Sequence, residues 1–207
     1  MAPKILCVVG PTACGKTTLG VLLAKKFNGE VVSADSMQIY RGMTIGTAAP
    51  TEVEMDGVPH HMIAVTEPGE QWSAARYAQM AVPIVDDILS RGKLPILVGG
   101  TGLWLDAVVQ GRTFAGGHAG GEARKELQQR LEREGMDHLW QELERIDPEA
   151  AKRLHPADEK RVLRALEVYL ETGKTITQHN EETKAIPPGM TRCGSDCSLL
   201  TAKICAA

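Results

Sequence analysis

No run in the 207 residues approaches the roughly 18 consecutive apolar side chains of a membrane-spanning helix. No leader peptide is expected: Met1-Ala-Pro-Lys-Ile-Leu-Cys-Val-Val-Gly10 runs straight into a strand-like run, whereas a leader needs a longer apolar region and a small-residue cleavage pattern. These two absences lead us to expect a cytoplasmic protein that does not enter a membrane. A surplus of one charge is missing too. The chain has 23 basic and 26 acidic side chains and a formal charge of −3. That excludes a generally basic nucleic-acid binder and requires any polyanion to meet a local patch. There is no internal repeat. Disorder is excluded as the main state, because 43% of residues are apolar and 24% charged, an ordinary globular balance. The length suits one domain with at most a modest second lobe. The five cysteines do not contradict a cytoplasmic setting. Cys7 lies in an apolar run and Cys14 in a glycine loop, as single thiols. Cys193, Cys197 and Cys205 crowd the last fifteen residues without the usual spacing of a zinc site.

What is present is an alternation of strand and helix signals. Lys4–Val9 is a short, β-branched apolar run ending at Gly10, and Gly15–Phe27 has helical spacing at Leu19, Leu22 and Leu23. Glu30–Ala34 reads as a second strand, His61–Val65 as a third and Leu94–Val98 as a buried fourth. Ser73–Ser90 is expected to be a helix kinked at Pro83, and Leu103–Val109 a short one. This order predicts an α/β fold with a parallel sheet covered on both faces. Composition changes after Arg112. Four glycines in Thr113–Gly121 mark a junction, and helices are expected at Glu122–Glu134, Asp137–Arg145, Pro148–Leu154 and Asp158–Glu171. Asp147-Pro148 and Asp158 are helix starts, and Gly173 is a stop. The expected organisation is a core at 1–112, a helical lobe at 113–180 and a divergent tail at 181–207.

One motif carries chemistry directly. Gly10-Pro11-Thr12-Ala13-Cys14-Gly15-Lys16-Thr17 fits G-x-x-x-x-G-K-[ST], with a strand before it and a helix after it. Its backbone amides converge on phosphate oxygens, the helix adds its positive end, Lys16 adds a point charge, and the Thr17 hydroxyl suits a magnesium ion. Nucleotide-splitting enzymes of this kind usually hold the metal with an acid at the end of another strand. Leu94–Val98 ends instead in Gly99-Gly100-Thr101. The nearest such acid is Asp35, after Glu30–Ala34, placed to bind a metal or accept a proton; its alternative role is a helix cap. A phosphate group that departs whole fits this shortage better than one that is split. The pair His60-His61 suggests metal, but no further ligand completes a site, so both read as structural or substrate-lining.

Six blocks, in order, resemble the tRNA dimethylallyltransferase (tRNA isopentenyltransferase) family over roughly residues 3–180. They are Gly10–Thr17; Asp-Ser-Met-Gln-Ile-Tyr-Arg-Gly-Met at 35–43; Ile-Gly-Thr-Ala-Ala-Pro at 45–50; Val-Pro-His-His at 58–61; Leu-Pro-Ile-Leu-Val-Gly-Gly-Thr-Gly-Leu-Trp at 94–104; and His155-Pro156 through Asp158, Arg161, Arg164, Ala165-Leu166-Glu167-Val168 to Thr172-Gly173-Lys174. The resemblance implies a P-loop NTPase-like parallel sheet flanked by helices, with an all-helical insertion lobe that grips a tRNA anticodon stem-loop. It implies transfer of a dimethylallyl group from its diphosphate to the exocyclic N6 amine of the adenosine beside the anticodon, in tRNAs that read codons beginning with U. Diphosphate leaves, held by Gly10–Thr17, with Lys16 and magnesium on Thr17 neutralising it and Arg161 and Arg164 assisting. Asp35 is the implied base and Thr101 lines the channel at the amine. Asp35, Ser36, Met37, Gln38 and Thr101 would contact the tRNA, as would Arg124 and the segment Lys160-Arg161-Val162-Leu163-Arg164. The lobe is not basic overall, with eleven basic and thirteen acidic residues over Glu122–Lys174, but Lys152, Arg153, Lys160, Arg161 and Arg164 cluster. A monomer is expected. The rival readings are a small-molecule kinase, an adenylate isopentenyltransferase acting on free nucleotides, and an inactive truncated product.

The sequence departs from the family's pattern in three places. Cys14 replaces a serine or alanine and exposes the loop to oxidation, and Trp104 stands where tyrosine is usual. The family continues for about another hundred residues past Thr177, and Gly189–Ala207 carries no likeness to it. That segment is expected to be read out of frame, which the coding DNA would decide. The loss of a core strand would then leave an unpaired sheet edge, low stability and reduced activity.

Overall fold

The computed structural model describes residues 4–109, 121–185 and 198–203. Residues 113–120 of the glycine junction and Cys193, Cys197 and Cys205 lie outside them. The chain divides into two compact units, residues 1–112 with 187–207 and residues 113–186.

The first unit is built on strands β1 (Lys4–Val9), β2 (Gly29–Ser33), β3 (His60–His61), β4 (Leu94–Gly99) and β5 (Ser198–Lys203), in the order β3-β2-β4-β1-β5. All pairs are parallel, so every strand ends on the same edge. The central strands read as continuous apolar runs because both faces are covered: Val8, Val32, Ile96 and Leu97 are fully buried.

Helix α1 (Lys16–Phe27) follows β1 through a loop that needs glycine. Gly15 has φ 82°, a left-handed conformation that costs a side-chain-bearing residue. The helix ends on Asn28, also left-handed, whose amide bonds the Ala24 carbonyl, and Lys25 and Lys26 complement its negative end. Helix α3 (Ala74–Ser90) starts on the Ser73 cap and buries Ala74, Tyr77, Ala81, Val85 and Ile88 along one stripe. It runs on through Pro83, which lies on the exposed face, where the carbonyl that proline leaves without its helical donor can meet water. Helix α4 (Gly102–Val109) leaves β4 with Trp104, Leu105, Ala107 and Val108 buried.

Three features differ from expectation. The third strand covers only His60–His61 rather than 61–65, because Met62 and Ala64 turn left-handed at φ 60° and 50°. A one-turn helix, α2 (Glu52–Met55), is closed by a capping box between Thr51 and Glu54. The unpaired sheet edge predicted from the divergent tail is absent beside β1. There β5 pairs along the whole strand, from Lys4 opposite Ser198 to Val9 opposite Lys203.

The second unit is helical in its described residues: α5 (Glu122–Glu134), α6 (Met136–Ile146), α7 (Pro148–Arg153), α8 (Glu159–Thr172) and α9 (Ile176–Ala185). Its core gathers Leu127, Leu139, Leu143, Ala150, Ala151, Val162, Leu163, Ala165 and Leu166. Asp147 caps α7 through the Ala150 amide at 3.0 Å, and its other oxygen takes the Thr177 amide at 3.0 Å. One buried carboxylate thereby fixes the start of α9, a helix with no strong signal of its own.

Candidate functional site

Three strand ends meet on the carboxyl edge of the sheet, where open α/β sheets bind ligands. From β1 comes the glycine loop. The Lys16 ammonium lies back over it, donating to the Pro11 carbonyl at 2.5 Å and 3.9 Å from the Cys14 sulfur. Gly15 caps α1 with no side-chain acceptor, and the first turn carries no acid. The amides and the positive helix end therefore face no protein anion from the helix's own first turn.

From β2 comes Asp35, half-buried. Its Oδ1 accepts the Met37 amide at 2.9 Å, a local turn, and residues 36–39 form a turn rather than a helix that it would cap. From β4 comes Gly99-Gly100-Thr101. The Ala34 amide donates to the Val98 carbonyl at 2.8 Å and the Thr101 amide donates to the Ala34 carbonyl at 3.1 Å. Strands β2 and β4 are so close there that a methyl on Gly99 would lie 2.2 Å from the Ala34 oxygen. Gly100 faces the Gly10 carbonyl, 3.9 Å from where its own Cβ would be. Thr101 Oγ1 accepts the Ser36 amide at 3.0 Å and lies 3.3 Å from the Ser36 hydroxyl. Gln38 closes the turn: its Oε1 accepts from the Ser33 hydroxyl at 2.9 Å, and its amide reaches the Ala48 carbonyl at 3.2 Å.

The structure thus brings Gly10–Thr17, Asp35–Gln38 and Thr101 to one edge. The other candidates lie in the helical unit. Lys160 and Arg161 are exposed, with Arg161 bridging to Asp158 at 3.4 Å. Arg164 donates to the buried Glu167 at 2.9 Å, and Arg124 is half-buried. Val162 and Leu163 lie between Arg161 and Arg164 with side chains 0% exposed within the helical core, so these side chains support the fold rather than present a surface.

His60 and His61 are tied down in other ways. His60 Nδ1 lies 2.8 Å from the Val58 carbonyl, and burial lowers its pKa. His61 Nε2 lies 2.8 Å from the carboxylate of Glu30. Glu30, 2% exposed, also takes Arg91 and Lys93. The Arg91 hydrogen bond, with help from Lys93 and His61, holds its carboxyl far below the usual range. This cluster begins β2, away from the edge that carries Asp35. Sequence reading missed it; the available signal was an acid set inside an apolar strand. Among the described residues no group of His, Cys, Asp and Glu is arranged to hold a metal, and no helix is long and apolar enough to cross a membrane.

A sequence model described as IPP transferase matches residues 38–204, taking in most of the 189–207 segment that sequence reading had set apart. The chain belongs to the IPP transferase family. It is similar to the tRNA dimethylallyltransferase of Caldanaerobacter subterraneus subsp. tengcongensis, 50% identical over 181 residues that cover 87% of this chain and 58% of that relative. The Bacillus subtilis tRNA dimethylallyltransferase is 47% identical over 180 residues, covering 87% and 57%. The chain therefore spans under three-fifths of the length of these curated IPP transferase relatives. Among solved structures, the full-length tRNA isopentenylpyrophosphate transferase from Bacillus halodurans superposes with a TM-score of 0.55 at 48% identity, covering 83% of this chain and 56% of that one. A eukaryotic dimethylallyltransferase acting on tRNA superposes with a TM-score of 0.79 at 31% identity, covering 98% and 48%. The IPP transferase fold here is accordingly P-loop NTPase-like, with a helical lobe.

Proposed function

We propose that this chain transfers a dimethylallyl group from dimethylallyl diphosphate to the N6 amine of the adenosine adjacent to the anticodon, in tRNAs reading codons that begin with U. The observation that carries the reading is the meeting of the glycine loop with Asp35 and Thr101 on one sheet edge, where among the described residues no second strand-end acid sits to split a terminal phosphate. The relatives' names support it.

In this reading N6 attacks the allylic carbon as the carbon–oxygen bond to diphosphate breaks. The electron pair of that bond leaves with the diphosphate, and the N6 proton passes to the Asp35 carboxylate. The loop amides and the amino end of α1 receive the developing charge, and Lys16 exchanges the Pro11 carbonyl for a phosphate oxygen. Preorganised donors of this kind are usually the largest catalytic term. Thr101, fixed on Ser36, sets the wall beside the amine. Magnesium suits the Thr17 hydroxyl at the head of α1, a hard oxygen donor beside the loop. Bound there it would add positive charge against the leaving group. Arg124, Lys160 and Arg161 offer cations to the anticodon stem-loop. The setting is the cytoplasm and the working unit a monomer.

Radiolabelled dimethylallyl diphosphate with unmodified tRNA tests the reading. Label should enter tRNA, and Asp35→Ala should lower turnover by about 10²–10⁴-fold, the usual worth of a positioned acid–base group. Cleavage of ATP at its γ-phosphate, with no label in tRNA, would overturn it in favour of a kinase.

A further inference from the structure

Tyr77 lies on α3, outside every motif of the site, yet it is the residue through which α3 reaches the Asp35 turn. Its ring is 0% exposed and its hydroxyl donates to the Ser33 carbonyl at 2.9 Å. That carbonyl is two residues before Asp35, where β3 has already ended and offers no backbone donor. The ring stacks on Trp104 with centroids 4.3 Å apart and planes 18° from parallel. Trp104 belongs to the first turn of α4, where its amide donates to the Thr101 carbonyl at 3.0 Å. One aromatic pair therefore braces both Asp35, through Ser33, and Thr101, through the start of α4.

We propose that Tyr77 is a positioning residue that sets the distance between Asp35 and Thr101. The proposal deepens the prenyl-transfer reading and rests on it for its kinetic consequence. The phenol is a suitable brace because burial raises its pKa well above the ordinary value, leaving it a hydrogen-bond donor at every working pH. The phosphate loop is held by β1 and α1, whereas the Tyr77 hydroxyl is spent on the Ser33 carbonyl of β2. Losing the hydroxyl should therefore disturb the amine side of the site and spare the diphosphate side. Small displacements of reacting groups are costly; about 1 Å can lower a rate 10²-fold.

The test is Tyr77→Phe, which keeps the stack and removes the donor. Turnover should fall about tenfold while KM for dimethylallyl diphosphate stays within about twofold. Amide hydrogen exchange supplies a readout independent of activity. The Ser36 and Met37 amides, bonded to Thr101 Oγ1 and Asp35 Oδ1, should exchange faster, while amides of β1 and β4 do not change. Trp104→Leu removes the stack instead and should accelerate the same two amides. Unchanged exchange at Ser36 and Met37, or equal acceleration throughout the sheet, overturns the brace. So does a rise in KM for the diphosphate with turnover unchanged. If the unaltered chain transfers no prenyl group while Tyr77→Phe still loosens Ser36 and Met37 selectively, the functional reading fails and the brace stands.

Discussion

The two units hold their polar groups in opposite ways. In the sheet unit, Asp35, Ser36, Gln38 and Thr101 sit at or just past strand ends; Asp35 and Gln38 are fixed by local bonds, and Ser36 is tied to Thr101 across 65 residues of sequence. In the helical unit, Asp147 makes a comparable long-range tie to Thr177, but the exposed cations ride on helix surfaces and pair within a turn, as Arg161 does with Asp158 and Lys152 with Glu149. The first arrangement fixes geometry and the second supplies adaptable charge. A reaction centre needs the former, whereas a backbone of phosphates is met well enough by the latter.

The contrast can be broken most forcefully from inside the helical core. Leu163→Ala should cost about 2–5 kcal/mol, measured by urea unfolding, because the side chain is fully buried among α5, α6 and α7 partners. Activity should fall only as the folded fraction falls. Gly99→Ala comes next, at about 1–3 kcal/mol from overpacking against the Ala34 carbonyl. Unlike Leu163→Ala, it should also lower turnover of the fraction that remains folded, since the displaced backbone carries Asp35.

Glu30 sharpens the comparison through pH. Its folded pKa is depressed, so its ion pairs stabilise above the ordinary carboxylate value near 4.3 and are lost as pH falls below it toward the folded value. The melting temperature should therefore drop more steeply in acid for the native chain than for Glu30→Gln. At pH 7 that variant should lose about 1–3 kcal/mol, less than a fully buried pair, because Arg91 and Lys93 are one-third exposed and regain water. The smallest effect belongs to Arg161→Ala. Thermal stability should not change, and the salt dependence of tRNA binding should flatten by about one unit of slope, with affinity lowered less than tenfold.

Local signals made much of this legible. A β-branched run, a glycine loop and a lysine-ended helix place the cradle without any tertiary information. The Asp147-Pro148 and Asp158 starts mark α7 and α8 to within a residue. Elements that draw their order from elsewhere were not legible. α9 is anchored by Asp147, thirty residues before Thr177, and α2 is a single capped turn. The two-residue β3 exists through its pairing with Val31 and Val32. Within the site, the residue types of Asp35 and Thr101 could be read, but their joining through Ser36 could not. Tyr77 could be assigned only to an apolar stripe, because nothing in an alanine-rich helix announces a partner at Ser33.

The neighbours of β1 constrain the order of assembly. One flank is filled by residues 94–99, the other by residues 198–203. On a ribosome, the helices encoded between those two flanks can collapse early, since their contacts are short-range, while the second seam of the sheet must wait until the later flank emerges. During that interval the strand that launches the glycine loop has one open side. Chaperone dependence in the nascent chain should therefore concentrate there.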